Sequence, residues 1–181
     1  MAPVGVYRAL GVRVAVGLIT VCAAVLIDLG PSPMSGASAP APCAPAQISL
    51  HHGTPNGAAG TTYIPLVFTN RGSSCVLWGV PTIQPVRPRT RRPLGPIAHN
   101  LSIGEMPARH VLARGESVSA AMGVTDTANF PVALCAPSRA GGVVVSLGDF
   151  VHSRFVRVSI SVCARRSSVT TRLLVPGTSG A

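Results

Sequence analysis

The chain contains no lysine; all 15 of its basic residues are arginine. That absence removes lysine Schiff-base chemistry, the lysine-bearing phosphate loop and the Ser-x-x-Lys acylases. Acids are scarce as well, 5 in 181 residues, so the formal net charge is +10. Charged residues make up 11% of the chain, where about a quarter is usual. Aromatic residues are only 4%. With 19 Gly and 17 Pro, long uninterrupted helical stretches are missing, which argues against a helical bundle. What is plentiful is apolar residues, at 47%. With so few charges this argues against a fully disordered chain. The length fits one domain with short appendages.

The first appendage reads as an address. Residues 1–13 carry Arg8 and Arg13 and no acid, and residues 14–27 (VAVGLITVCAAVLI) carry no charge until Asp28. A basic flank, a short apolar run and a small-residue exit form the export-signal pattern. Fourteen helical residues rise about 21 Å, short of the roughly 30 Å hydrocarbon layer. Small-residue cleavage sites end at Ala39 and at Ala41, each followed by Pro. The alternative is a retained anchor over residues 10–30, with Arg13 and Asp28 snorkelling to the interfaces. Neither Cys22 nor Cys43 is preceded by the small residues of a lipid-attachment box. The expected organisation is a signal peptide or anchor at 1–29, a Pro/Ala/Ser linker at 30–42, a β-sandwich at 43–176 and a tail at 177–181. The expected location is extracytoplasmic, secreted or associated with the cell envelope.

Export implies an oxidising compartment. Cys22 lies inside the signal, leaving Cys43, Cys75, Cys135 and Cys163. An even number reads as two disulfides with three available connectivities. Proximity along the chain favours Cys43–Cys75 and Cys135–Cys163. A four-cysteine metal site is the competing reading, and the lack of any Cys-x2-Cys pair argues against it.

The recurring local period is two. Residues 117–124 (SVSAAMGV) place Val118, Ala120, Met122 and Val124 on one face. Residues 154–162 (RFVRVSISV) place Val156, Val158, Ile160 and Val162 inward, with Arg157, Ser159 and Ser161 outward, as in a half-buried strand. Residues 61–70 (TTYIPLVFTN) are apolar on both faces, as a central strand is. Pro65 in their midst demands a bulge or a place where no N–H is needed. Further strands are expected at 48–51, 75–77, 83–87, 143–147 and 169–175. Turn signals lie at Asn56-Gly57, Asn70-Arg71-Gly72, Arg114-Gly115 and Gly141-Gly142. About eight short strands so spaced predict an all-β, antiparallel, disulfide-bonded sandwich, immunoglobulin-like in general architecture. Trp78, the only tryptophan, is expected to plug the edge of the sandwich.

The block Tyr63-x-x-Leu66-x-Phe68-Thr69-Asn70-x-Gly72-x-x-Cys75-x-Leu77-x-Gly79-x-Pro81 resembles the core pattern of the domain of unknown function 4232 family, found in exported proteins and lipoproteins of actinobacteria. Gly57-Ala58-Ala59-Gly60 fits that family's small-residue turn. Leu112-Ala113-Arg114-Gly115 fits its later turn, where Pro usually replaces Arg114. Cys135 and Cys163 sit where the second family pair is expected. The resemblance covers residues 43–175; the Arg-Pro segment at 87–93 departs from it. It implies a disulfide-bonded extracytoplasmic β-sandwich and no particular activity.

Catalytic patterns are lacking. There is no Gly-x-Ser-x-Gly elbow, no His-x-His and no His-Glu-x-x-His. The acids Glu105, Glu116, Asp126 and Asp149 are scattered, whereas paired-carboxylate hydrolysis needs two held about 5–10 Å apart. His51 and His52 are neighbours, so on a strand they face opposite ways and cannot share one ion. His99, His110 and His152 stand alone. No catalytic residue, cofactor or metal is expected, and an enzyme is not expected.

The unusual surface feature is Arg87-Pro88-Arg89-Thr90-Arg91-Arg92-Pro93. In an extended chain Arg87, Arg89 and Arg91 project to one side, and guanidinium groups match phosphate in bidentate fashion. Arg87, Arg89, Arg91 and Arg92 are therefore the candidate anion-binding residues; the plain alternative is a solvated loop. The partners this points to are an anionic lipid or envelope polymer, or an envelope protein. Nucleic acid is not expected, for reasons of compartment and for want of interleaved aromatics.

Overall fold

The computed structural model describes residues 39–180. The expected signal segment with Cys22, most of the linker, and Ala181 lie outside the described residues. Fourteen strands are described, most of them short: β1 (Ile48–His52), β2 (Asn56–Ala58), β3 (Thr61–Asn70), β4 (Cys75–Leu77), β5 (Thr82–Val86), β6 (His99–Asn100) and β7 (His110–Leu112). They continue as β8 (Ser117–Thr125), β9 (Pro137–Ala140), β10 (Gly142–Leu147), β11 (Val151–Val156), β12 (Ile160–Cys163), β13 (Val169–Thr171) and β14 (Val175–Pro176). One α-helical turn, α1 (Val132–Cys135), precedes β9.

The larger sheet runs β1-β3-β8-β13-β6, with β2 also on β3 and β14 also on β8. Its pairings are antiparallel apart from β13 with β6. The second layer is β11-β10-β5, and two further two-stranded sheets are β12-β9 and β4-β7. Between the layers lies one core. β3 contributes Ile64, Leu66 and Phe68, β8 contributes Val118, Ala120, Met122 and Val124, and β10 contributes Val143, Val145 and Leu147. The period-two faces read from the sequence are the faces that are buried. The result is an all-β antiparallel sandwich with two disulfides, Cys43–Cys75 and Cys135–Cys163.

Pro65 shows how β3 tolerates an imino acid. It lies opposite Ala121 of β8 in an unbroken register, but its carbonyl turns the other way and accepts from the Gly53 N–H at 2.8 Å. Its nitrogen faces the same side, between the stretches of β3 that pair with β1 and with β2. The missing N–H therefore costs no ladder bond.

Several local expectations are corrected. Asn56 and Gly57 belong to β2, and the turn follows at Ala59-Gly60, with φ of 48° and 73°. Ala58 pairs with Thr61, so this is a two-residue hairpin, and both its loop residues have the positive φ that a type I′ turn requires. Gly141-Gly142 is not a hairpin turn but the joint between β9 and β10. The strand expected at 154–162 divides into β11 and β12 around residues 157–159, and that at 169–175 divides into β13 and β14. At Asn70-Arg71-Gly72 the turn works as expected from the Asn side: Asn70 Oδ1 accepts from the Gly72 N–H. Gly72 is needed for closeness, since a Cβ there would collide with the Gln47 side chain.

The last described residues are also tied down. Gly177 N–H donates to Ser117 O and Gly180 N–H to Ser119 Oγ. They cross the outer face of β8, and a Cβ on Gly180 would sit 3.2 Å from Ala121 Cα. The residues expected as a tail thus cover the face of the large sheet that looks away from the core.

Candidate anion-binding site

β5 ends at Val86 and the chain turns back at once, bridging Val86 to Pro93. Arg87 N–H donates to Arg92 O at 2.8 Å, Arg91 N–H to Arg87 O at 3.1 Å, and Thr90 N–H to Pro88 O at 2.7 Å. The loop is closed, not extended, because Arg89 and Arg91 adopt left-handed φ values of 64° and 52°. Non-glycine residues rarely hold that conformation, which costs of order 1–3 kcal/mol at each such position.

This loop rests on the Gly141-Gly142 joint. A Cβ on Gly141 would lie 2.8 Å from Pro88 Cα, and one on Gly142 would run into the Phe155 ring and come 2.5 Å from Val156 O. Two glycines in succession thus let Pro88 and Phe155 pack directly on the backbone. Phe155 in turn carries Arg91, whose guanidinium carbon stands 4.3 Å above the ring centroid. Such stacking orients a cation and is worth about 0.5–1 kcal/mol where exposed.

The outcome is a concavity of about 370 Å³ lined by Arg87, Arg89, Arg91 and Arg157, with Pro88, Gly141 and Phe155. No Asp or Glu is among the lining residues. Three of the four arginines singled out from the sequence come together here. Arg92 belongs to the same loop but does not line the cavity. Arg157 was not singled out; it sits in the break between β11 and β12, far along the chain. Its one sequence signal was an outward position on a strand, which any solvent-facing arginine shares.

Several other described arginines are engaged elsewhere. Arg71 Nε donates to Ser49 Oγ at 3.0 Å, Arg165 Nη1 donates to Ala133 O at 2.8 Å, and Arg166 lies over the Phe130 ring. Trp78 is half-buried, edge-on to Phe150 at 4.3 Å, with Arg109 3.9 Å above it.

Among the described residues, Arg109, His110 and Glu116 line one open cleft, and Tyr63, Glu105 and Arg172 line another. His110 Nε2 donates to Leu174 O at 3.1 Å, Glu116 accepts from the Ala113 N–H, and Asp126 accepts from the Ala128 N–H. His51 and His52 both border an open cleft beside Gly53 and Thr178, and no acid, cysteine or further histidine lines it. A cleft of about 610 Å³ lies between the β2–β3 hairpin and residues 158–161, but Asp126 is its only charged residue. Among the described residues no three of His, Cys, Asp and Glu are placed to hold a metal ion. None of the described helices is long and apolar enough to cross a membrane.

Fold and bridges together define a disulfide-bonded β-sandwich domain. Residues 43–175 match the family model described as Domain of unknown function (DUF4232), and the chain belongs to that family. No curated protein and no solved structure matches it.

Proposed function

We propose that this protein is a non-catalytic binding module of the cell envelope that captures an anionic envelope component through the Arg87–Arg92 loop. The observation that carries the reading is the convergence of Arg87, Arg89, Arg91 and Arg157 on one concavity without a lining carboxylate. Like charges gathered in this way repel one another, and an anionic ligand relieves that repulsion. Two disulfides fit an oxidising compartment, and the apolar run at 14–27 fits export to it. The test is co-sedimentation of the full chain with vesicles of anionic phospholipid and with anionic envelope polymer, at low and high salt. Binding that weakens with salt, and that falls away in an Arg87→Ser/Arg89→Ser/Arg91→Ser/Arg92→Ser variant, is the expected result. Identical partitioning of the variant overturns the reading.

A second reading, a protein-interaction domain, draws on the loop between β6 and β7. There Ile103 and Met106 are 76% and 90% exposed, an unusual setting for large apolar side chains so close in sequence. It requires a salt-resistant association with an envelope protein that Ile103→Ser/Met106→Ser abolishes and the arginine variant leaves intact.

A further inference from the structure

We infer that the arginine cavity is a receptor for a phosphomonoester group, held and not cleaved. This rests on the anion-binding reading above and narrows it to one ligand chemistry. Three observations lead there.

The first is shape. A volume of about 370 Å³ is near the lower end of small-molecule sites, which run from about 300 to 1,000 Å³. It has room for a single charged group and its immediate attachment. None of the exposed large apolar side chains (Ile97, Leu101, Ile103, Met106, Val111, Val132 and Leu134) lines it. A surface made to lie on a bilayer would set large exposed apolar residues beside its cations; the apolar side chains here are Pro88 and the half-buried Phe155, both packed on backbone.

The second is charge. Four guanidinium groups exceed what a carboxylate can satisfy. A phosphomonoester carries about −1.5 to −2 at pH 7, with three oxygens that each accept hydrogen bonds. Guanidinium forks match those oxygens in pairs.

The third is preorganisation. Arg91 is stacked on Phe155, Phe155 is seated on Gly142, Pro88 is seated on Gly141, and Arg89 and Arg91 hold left-handed backbone. The Arg91 guanidinium, fixed in this way, loses little freedom when an anion arrives. The lining holds no Ser, Thr, His, Asp or Glu. Nothing beside the phosphorus would activate water or act as a nucleophile, so the ester leaves as it came.

The experiment is calorimetric titration of the full chain with glycerol phosphate, inorganic phosphate, sulfate and acetate. Glycerol phosphate is expected to bind at least tenfold more tightly than acetate. Its affinity is expected to rise as pH passes upward through about 6, where the monoester gains its second charge. The titratable groups facing it are Arg87, Arg89, Arg91 and Arg157, and guanidinium groups keep their charge across this range. Arg91→Ser and Arg157→Ser are each expected to weaken glycerol phosphate about tenfold, the loss typical of one charge-assisted hydrogen-bond pair. Gly141→Ala keeps every charge but displaces Pro88, and is expected to weaken binding as well. If it fails to fold, Arg91→Lys, which retains the charge and loses the fork, supplies the same comparison. Vesicles bearing phosphatidic acid, a phosphomonoester lipid, are compared with vesicles of phosphatidylglycerol, a phosphodiester. Binding to the former alone assigns the group to a lipid, and binding of soluble glycerol phosphate without either vesicle assigns it to a soluble or polymer-borne ester. Equal affinity for acetate and glycerol phosphate overturns the phosphomonoester assignment and leaves the anion-binding reading standing. Binding of none of these anions, soluble or on vesicles, overturns both.

Discussion

Opening the two disulfides should remove most of the stability of this domain. Cys43–Cys75 and Cys135–Cys163 close loops with sequence separations of 32 and 28. The loop-closure entropy taken from the unfolded chain is worth roughly 3.7 and 3.6 kcal/mol respectively at 25 °C. A domain of about 140 residues unfolds with an entropy near 0.3 kcal/mol per degree, so each bridge corresponds to about 12 °C in Tm. The loops do not overlap in sequence. One bridge ties residues 41–43 to β4, where Cys43 N–H donates to Val76 O, and the other ties α1 to the end of β12. Separate sites add, so losing both costs about 7 kcal/mol, against a usual total of 5–15 kcal/mol. The fold should therefore depend on an oxidising environment. The assay is a thermal melt followed by circular dichroism, for oxidised and reduced wild type and for Cys43→Ala/Cys75→Ala and Cys135→Ala/Cys163→Ala. Reduction is the cleaner arm, because all four cysteines are buried and substitution adds a packing loss. A reduced wild type that melts within about 4 °C of the oxidised form would refute the entropy argument.

Two side chains offer further checks on the packing. Asn70 is fully buried; its Nδ2 donates to Ser73 O and Leu112 O while its Oδ1 accepts from the Gly72 N–H. Asn70→Ala strands those three groups and should cost about 2–4 kcal/mol in urea unfolding; a loss below 1 kcal/mol would mean that the turn repairs itself. Thr171 Oγ1 is buried without a hydrogen-bond partner. Thr171→Val keeps the shape and removes the stranded hydroxyl, so it should raise stability by about 1 kcal/mol, some 3 °C in Tm. A lower Tm for that variant would contradict the packing described.

The core was legible because its signal is local. Alternation in 117–124 named the core-facing residues of β8, and the run apolar on both faces at 61–70 marked β3 as a central strand; neither pattern needed knowledge of the partner strand. The cystine pairing was legible from separation along the chain. Strand ends and breaks were not. At Gly141-Gly142, Pro88 and Phe155 pack directly onto the backbone, and no local propensity encodes that packing. The same holds for residues 177–180, whose small polar composition reads as a tail until the outer face of β8 gives their N–H groups acceptors.

The candidate site divides along the same line. Arg87, Arg89 and Arg91 announce themselves as a run of like charge, and that much composition and order determined. Their meeting place with Arg157 and the stacking of Arg91 on Phe155 depend on the register of β10 against β5 and β11. Export pattern, sandwich class, core faces and disulfide pairs follow from short-range periodicity and spacing, which the chain carries within itself. The concavity arises only when segments distant in sequence are brought side by side, because its walls come from the loop after β5, the joint before β10, and the end of β11 with the break that follows it.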